Sequence, residues 1–203
     1  MLAFGYDPGG LGNNGVALID QSGGLVQVAT STVDSVDEAV GWLQAQVGAR
    51  RLDAAGIDTY LSWATVNSGW RPMDVFLRQT YPQVQHSVFS SNSAAGSMAI
   101  QGMAMAMRLR ALWPEVRLNE THPKILYFAL TSRPYLFGQK MITWLGGQIN
   151  AATGVALTND HEWDALISAW AAVQGMTGGF SRDLLTGVPD LLFPVGQVNY
   201  FWP

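Results

Sequence analysis

Apolar residues near the start of the chain form short blocks separated by turns that contain glycine. Three such blocks each predict a strand, because a short apolar run bounded by turn residues is typical of one. They are MLAFGYD, GVALID and GLVQVATST. Connections this short cannot cross over a sheet, so we expect the three strands to form an antiparallel meander.

Two later apolar blocks, AAGID and EVRLNETH, predict further strands that end at Asp58 and near Glu120. Elsewhere the apolar residues recur at helical spacing. The first predicted helix begins behind Ser35, which opens a Ser-x-x-Glu capping pattern. The other predicted helices lie in RPMDVFLRQTYP, NSAAGSMAIQGMAMAMRLRALW, PKILYFAL, residues 139–152 and NDHEWDALISAWAAVQG. The segment VQHSVF suits either a strand or a connector.

This order of elements predicts an α/β fold with a mixed five-stranded sheet, which starts with the antiparallel meander and is flanked by helices. The chain has 203 residues, of which 48% are hydrophobic and 13% charged, a composition typical of a globular domain rather than of disorder. We therefore predict a single domain over residues 1–203. It would carry a helical insertion at about 60–91 and an apolar tail, 180–203, that packs back on the domain.

The overall charge gives no global attraction to nucleic acid. The net charge is −4 and the pI is near 5.2, although a local basic patch is enough to bind a phosphate backbone. Nine of the eleven basic residues are arginine, which leaves Lys124 and Lys140 as the only lysines. Both are candidate contacts to phosphate, and solvation at the surface is the alternative for each.

Cysteine is absent, which rules out disulfides and thiolate metal sites and favours the cytoplasm as the location. No signal peptide is apparent, and the longest apolar run, at 94–107, is too interrupted to cross a bilayer, so we expect no membrane partner. The methionines of this run are expected to pack in the core. The same helix is also a candidate interface for a homodimer, and the sequence leaves both alternatives open.

The turn after the first strand contains Gly10, Gly12 and Gly15, spaced as in the GxGxxG fingerprint of dinucleotide-binding proteins. That fingerprint lies between a strand and a helix of a parallel βαβ unit. Here the glycines lead into VALID, which predicts a strand, so no helix N-terminus is available to receive a pyrophosphate. We therefore interpret these glycines as a hairpin turn and expect no dinucleotide cofactor.

Acidic residues stand where the predicted strands end. Asp7 and Asp58 each follow an apolar strand, Glu120 ends a third, and Asp164 lies in an apolar helix with His161 one turn earlier. A ligand set rich in oxygen and poor in nitrogen suits Mg²⁺ or Mn²⁺. Two such ions about 4 Å apart can activate a water and stabilise the leaving oxygen in phosphodiester hydrolysis. For each acid taken alone, turn capping, ion pairing or solvent exposure is the alternative.

The order of these elements and acids resembles the RNase H-like arrangement, and more narrowly the DUF429-type family of predicted RNase H-like nucleases. The matching stretches extend from residue 5 to about 172 and are GYDPGG, AAGIDTYLSW, RPMDVFLR, NETHPKILYFAL and HEWDALISAWAA. More distantly, the chain resembles the Holliday-junction resolvases, which also begin with a D-P-G turn. The resemblance implies an RNase H-like fold and the activity of a nuclease.

The resemblance also implies roles for individual acids. Asp7, Asp58 and Asp164 would be the metal-binding and catalytic carboxylates, with Asp7 bridging two ions. His161 stands where the resolvases have an acid in a D-x-x-D-A-L pattern, so it would act as a nitrogen ligand or a proton carrier. Glu120, in an E-x-x-P stretch, would be a further catalytic residue.

Four residues remain as predicted substrate contacts. Arg71 and Asp74 form an R-x-x-D pair that the resemblance places in the site, and Lys124 and Lys140 join them as the phosphate contacts proposed above. Arginine suits phosphate because its planar guanidinium donates two parallel hydrogen bonds.

These features predict a Mg²⁺- or Mn²⁺-dependent nuclease, either an endonuclease or a resolvase-like phosphodiesterase, that acts on DNA or RNA by a two-metal mechanism. One alternative is a degenerate RNase H-like module that binds or assembles without catalysis, which the acidic pI and the small number of lysines favour. The other is an actin-like nucleotide binder, whose phosphate loop also starts with Asp and a glycine turn. Such proteins usually need two related domains, and 203 residues leave little room for them.

Overall fold

Nine strands are present in the computed structural model, which describes residues 1–22, 24–93, 96–151 and 154–203. In chain order they are β1 (Leu2–Asp7), β2 (Asn14–Asp20), β3 (Gln27–Val33), β4 (Ala54–Ile57), β5 (Trp63–Ala64), β6 (Arg117–Glu120), β7 (Arg182–Asp183), β8 (Leu191–Leu192) and β9 (Phe201–Trp202). Five of them form one sheet in the order β3-β2-β1-β4-β6. β2 is antiparallel to β1 and β3, whereas β4 is parallel to β1 and β6. The predicted mixed five-stranded sheet, with its antiparallel meander first, is confirmed.

Six α-helices surround this sheet. They are α1 (Val36–Val47), α2 (Pro72–Thr80), α3 (Gly96–Leu112), α4 (Pro123–Thr131), α5 (Gln139–Ile149) and α6 (Asp160–Thr177). Ser35 caps α1 as its Ser-x-x-Glu pattern predicts, because its side chain accepts a hydrogen bond from the backbone N–H of Glu38. Within the described residues, no helix combines the length and the hydropathy needed to span a membrane.

Helix boundaries differ from the predicted ones in a few places. The segment VQHSVF is not a strand. Its first four residues belong to a 3₁₀ helix over Pro82–Ser87. The helix predicted over 139–152 ends at Ile149 because Asn150 adopts the left-handed conformation that terminates helices. Five positions lie outside the described residues: 23, 94, 95, 152 and 153. Residues 94 and 95 belong to the predicted helix NSAAGSMAIQGMAMAMRLRALW, residue 152 ends the helix predicted over 139–152, and residue 23 precedes the predicted third strand.

Helix α6 lies directly on the backbone of the sheet. One glycine in each of three neighbouring strands faces it: Gly5 in β1, Gly15 in β2 and Gly56 in β4. A Cβ atom at any of these positions would lie 1.8–2.0 Å from a carbonyl oxygen of α6, which is far inside van der Waals contact. Gly15 lies inside β2, in agreement with the strand predicted for GVALID, and it is needed there for packing against α6 rather than for the turn.

The outer side of α6 is covered by aromatic side chains. Trp163 meets Tyr127 of α4 edge to face at 5.4 Å between ring centroids, and Trp170 meets Phe180 in the same way at 5.4 Å. Both tryptophans are buried. Because the sheet covers one side and these aromatic residues the other, the buried polar residues in the middle of α6, Asp164 and Ser168, are not there for solvation.

The last residues of the chain contact the far edge of the sheet. Asn199 forms a parallel bridge with Asn119 of β6, and β9 pairs with β7. Tyr200 and Trp202 are almost fully buried. These contacts close the sheet edge beyond β6, which would otherwise present unpaired backbone groups.

We predict that adding one methyl group at the sheet–helix contact strongly destabilises the protein. A Cβ at Gly56 would lie 1.9 Å from the carbonyl oxygen of Ser168, so Gly56→Ala is expected to lower the free energy of unfolding by about 3 kcal/mol, the upper end of ordinary overpacking. Chemical denaturation monitored by circular dichroism measures this.

The matched control is Gly41→Ala. Gly41 lies within α1, and a Cβ there meets nothing within 4 Å. Alanine is the better helix former, so this variant is expected to gain up to about 1 kcal/mol. Equal stability changes in the two variants would show that α6 has room to move away from the sheet.

Candidate metal centre

Three carboxylates meet at one edge of the central sheet. Asp7 is the last residue of β1, and Asp58 directly follows β4, so the parallel pairing of these strands places both acids at the same end. Asp164 reaches them from α6. One carboxylate oxygen of each residue lies within 4.8 Å of those of the other two. The structure therefore brings together the three acids that the sequence singled out.

Backbone contacts hold these acids in register. The N–H of Asp58 donates to the carbonyl oxygen of Tyr6 at 2.9 Å, which extends the β1–β4 ladder by one more bond. The carboxylate of Asp164 accepts a hydrogen bond of 2.9 Å from the hydroxyl of Tyr135. Each acid is thus fixed by a regular element or by a neighbouring side chain, as a preformed site requires.

The three acids carry more negative charge than their surroundings compensate. Asp7 and Asp164 are 4% and 5% exposed, and Asp58 is partly buried. Burial raises the pKa of Asp164 well above its usual value, and the charges of Asp7 and Asp58 raise it further. The pKa of Asp58 is raised well above its usual value by burial and by Asp7 in the same way. Lys124 lowers the pKa of all three carboxyls, but the pKa of each stays above its usual value.

This arrangement fits a divalent cation. Carboxylate oxygens are the ligands that Mg²⁺ and Mn²⁺ prefer, and three of them converge on one point. A bound cation would supply the positive charge that the buried acids lack. The residues present therefore suit a hard divalent metal and not a soft one.

His161 lies beside the three acids. Its Nδ1 is 2.7 Å from Oδ2 of Asp7, and this hydrogen bond raises the pKa of His161. Because Nδ1 contacts Asp7, this nitrogen is not free to bind a metal. The geometry suits the other role considered from the sequence, a group that orients Asp7 and carries a proton.

Glu120 does not join the acids of the centre. Its Oε1 lies 2.6 Å from Nη2 of Arg71, and its Oε2 accepts hydrogen bonds from Nη1 of Arg71 and from the backbone N–H of Leu61, both at 2.8 Å. Asp74 binds the other side of the same guanidinium, 2.7 Å from Nη2. All three charged side chains are fully buried. We call Arg71, Asp74 and Glu120 the arginine cluster.

The arginine cluster corrects three predicted roles. Arg71 and Asp74 cannot contact a substrate where they lie, because both are 0% exposed and bonded to each other. The carboxylate of Glu120 has no free oxygen with which to bind a metal or move a proton. Instead, the cluster anchors the segment that follows Asp58, since it binds the N–H of Leu61 as well as the carbonyl and hydroxyl oxygens of Ser62.

The two lysines occupy different surroundings. Lys124 is exposed at the start of α4, near the acids, and its ammonium lies 5.3 Å from the ring centroid of Tyr135. Lys140 lies on α5, in a surface depression with Arg133 and Trp144 whose lining includes none of the three acids. Only Lys124 is therefore placed next to the centre.

Two residues that sequence reasoning missed hold the turn after β1. The side-chain oxygen of Asn14 accepts hydrogen bonds from the Tyr6 hydroxyl at 2.7 Å and from the N–H of Gly9 at 3.2 Å. The side chain of Gln101 in α3 donates to the carbonyl oxygen of Gly9 at 2.7 Å. Asn14 acts within its own turn, where asparagine is common and does not by itself indicate a role, and Gln101 acts on a residue 92 positions away, which no local pattern predicts.

The fold is similar to that of a solved protein structure. The chain matches the Thermus thermophilus RuvC structure over 88% of its own length and 97% of that chain, with a TM-score of 0.50 and 15% sequence identity. A structure of T. thermophilus RuvC in complex with Holliday junction substrate matches over 87% of this chain and 96% of that one, at 16% identity and a TM-score of 0.49. No protein-family model matches the sequence, and no curated protein does. The similarity at this identity establishes the RNase H-like fold.

We predict that the arginine cluster is essential for stability. Arg71→Met would leave two buried carboxylates without their shared cation, and breaking a buried ion pair in this way costs about 3–5 kcal/mol. The control is Arg51→Met, which removes an ion pair with Asp53 at a site where the arginine is 70% exposed, and where about 1 kcal/mol or less is expected. Urea denaturation distinguishes the two. A loss at Arg71 no larger than that at Arg51 would contradict a structural role.

We also predict that ionisation of Asp164 destabilises the metal-free protein. Its pKa is raised in the folded state, so the folded protein holds a proton that the unfolded chain, with a pKa of about 3.9, has released. Stability then falls as the pH rises above about 4. Asp164→Asn removes this effect and still accepts the Tyr135 hydrogen bond, so its stability advantage over the wild type is expected to be larger at pH 8 than at pH 5.

Thermal melts in EDTA at both pH values measure this difference. Asp190→Asn is the control, because Asp190 is exposed, and its left-handed backbone conformation also suits asparagine. Its stability relative to the wild type is expected to be the same at both pH values. If Asp164→Asn changed the stability by the same amount at both pH values, Asp164 would be ionised in the folded protein with no loss of stability.

Proposed function

We propose that this protein is a metal-dependent nuclease that hydrolyses phosphodiester bonds of nucleic acid, and that it belongs to the DUF429-type RNase H-like family. The observation that carries the proposal is the meeting of Asp7, Asp58 and Asp164 within 4.8 Å at the carboxyl end of two parallel strands. Buried acids without a compensating cation are costly, so a fold that keeps three of them together has a use for them. The RNase H-like fold supports the proposal.

Asp7, Asp58 and Asp164 would hold two Mg²⁺ or Mn²⁺ ions, with Asp7 as the shared ligand. Asp7 is the charged neighbour with the largest effect on the pKa of both other acids, which suits a central position. When bound, the ions would supply Lewis-acid activation of water and would stabilise charge on the leaving oxygen.

The other groups near the acids act on protons and on the substrate. His161 holds Oδ2 of Asp7 through Nδ1, and its raised pKa lets it carry a proton near neutral pH. Lys124 is exposed beside the acids and would bind a phosphate of the backbone. The turn of residues 8–13 contains three glycines, so a polyanionic backbone can approach Asp7 closely on that side.

The proposed location and assembly of the protein rest on the sequence alone. We place it in the cytoplasm because it has no cysteine and its substrate would be nucleic acid. The homodimer remains a prediction. Helix α3 buries Met105 but leaves Ile100 and Met107 70% and 62% exposed, so a dimer formed through α3 would cover those two side chains.

We predict cleavage of DNA or RNA that requires Mg²⁺ or Mn²⁺ and is lost in Asp7→Asn. His161→Gln is expected to lower the rate about 10–100-fold, the usual effect of removing a group that orients a metal ligand. Asp190→Asn, far out on the surface, is expected to keep full activity. Labelled oligonucleotides resolved on denaturing gels measure the rates, and calorimetry with Mn²⁺ measures metal binding independently.

The alternatives give different results in the same assays. Mn²⁺ binding that Asp7→Asn abolishes, without any cleavage, would indicate a degenerate binding module. Micromolar binding of ATP without cleavage would indicate an actin-like nucleotide binder. Cleavage that persists in EDTA or in Asp7→Asn would contradict the proposed mechanism.

A further inference from the structure

A cavity of about 400 Å³ opens directly beside the candidate metal centre. Asp58 belongs to its lining, so the cavity and the three acids share a wall. Its other walls come from four places in the chain: residues 59–60 after Asp58, the end of the 3₁₀ helix together with Phe89, the first turn of α3, and the start of α4 with the preceding His122. A molecule bound to the three acids through a phosphate would therefore have this opening beside it.

The mouth of the cavity carries an exposed aromatic ring on a fixed backbone. Phe89 is 57% exposed. Its N–H donates to the hydroxyl of Tyr60 at 3.0 Å, and its carbonyl oxygen accepts from the same hydroxyl at 2.9 Å. Tyr60 is itself buried, and the guanidinium of Arg71 lies 4.7 Å from its ring centroid. This ring therefore offers a flat apolar face, in a fixed position beside the cavity, against which another flat ring can stack.

The interior of the cavity combines an apolar lining with a few polar groups. Met98, Ala99 and Ile125 contribute apolar surface. His122 is buried in the wall, and burial lowers its pKa to about 4, so the ring is neutral at physiological pH. Its Nδ1 bonds the Tyr200 hydroxyl at 3.1 Å, while its Nε2 has no partner among the described residues. A neutral imidazole has one donor and one acceptor, so with Nδ1 bonded to Tyr200 only Nε2 is left to bond a flat heterocycle.

We propose that this cavity binds an unpaired nucleobase of the strand that is cut at the adjacent metal centre. The inference rests on the proposed nuclease function and specifies its substrate. A base offers two flat apolar faces, which suit Phe89 and the apolar wall, and a polar edge, which suits His122. The volume exceeds that of one base and is at the lower end of the range for small-molecule sites. Lys124, at the same opening, would meet the backbone phosphate of the same nucleotide.

The proposal has a consequence for the kind of nucleic acid that is cleaved. A base inside a duplex is stacked and paired, so it cannot enter a cavity without leaving the helix, which costs a few kcal/mol. The cavity would therefore favour single-stranded, looped or mismatched positions over continuous duplex. The protein would read the unpaired state of one base and not its sequence, because stacking accepts any base.

A set of oligonucleotides tests the proposal when the nuclease is active. Each carries one abasic residue, at a different position in the strand. Loss of the base at one fixed position relative to the cut is expected to lower the cleavage rate at least about tenfold, the effect of losing one stacked base. Ala99→Phe, which fills the cavity, and Phe89→Ala, which removes the ring at its mouth, are expected to lower the rate on intact strands to the same level. Uniform cleavage of all abasic substrates would overturn the proposal and leave the nuclease function standing.

Matched substitutions control for general damage. Ala45→Phe places the same ring on an exposed position of α1, and Leu25→Ala removes an exposed apolar side chain elsewhere. Neither residue lines the cavity, so both variants are expected to cleave as the wild type does. Circular dichroism and thermal melts establish that each variant is folded.

A binding measurement decides the question even if no cleavage is found. Adenosine 5′-monophosphate and ribose 5-phosphate differ only by the base. In calorimetry with the metal-free Asp7→Asn variant, the nucleotide is expected to bind at least about tenfold more tightly than the sugar phosphate. Adding Ala99→Phe is expected to remove this difference, and adding Ala45→Phe is expected to preserve it. Equal binding of the two probes, or a preference that survives Ala99→Phe, would overturn the proposal.

Discussion

The contact between helix α6 and the central sheet is the constraint on which the rest of the molecule depends. At Gly5, Gly15 and Gly56 the strands meet the backbone of α6 with no side chain between them. Because backbone meets backbone at three points, the helix has little freedom to shift along the sheet or to rotate. Asp164 is therefore positioned by the same strands that end at Asp7 and lead into Asp58. The rigid support explains how three acids are held within 4.8 Å in spite of their repulsion.

Five acidic side chains that are buried or partly buried lie near the carboxyl ends of β1, β4 and β6, and they fall into two groups. Glu120 and Asp74 share the guanidinium of Arg71, which satisfies both carboxylates with hydrogen bonds. Among the described residues, Asp7, Asp58 and Asp164 have only the exposed Lys124 and, when it is protonated, His161 as nearby cations. The first arrangement stabilises the fold by itself, whereas the second is stable only when protons or an added cation reduce the negative charge. This contrast separates a structural cluster from a candidate centre.

The sequence predicts the framework of this fold because its signals are local. Short apolar blocks and glycine turns mark the strands, and an acid at the end of a block is visible without any knowledge of the fold. The arginine cluster is different, since Arg71 and Glu120 are 49 residues apart and meet only in three dimensions. The R-x-x-D pattern indicates a charged pair but not that the pair is buried. Likewise, an isolated glycine such as Gly56 signals close packing only once its partner helix is known.

Residues 58–62 connect the separate parts of the candidate site. This segment supplies Asp58 to the metal centre and Tyr60 to the cavity wall, and it is held by hydrogen bonds from the arginine cluster to Leu61 and Ser62. It has no regular secondary structure of its own, so its conformation depends on those bonds.

Because one anchored segment carries both the carboxylate and the wall of the cavity, the two cannot move independently. The distance from the metal centre to the cavity is then a fixed property of the fold. A fixed distance between a phosphate site and a base site is the geometric condition for choosing one bond in a flexible strand.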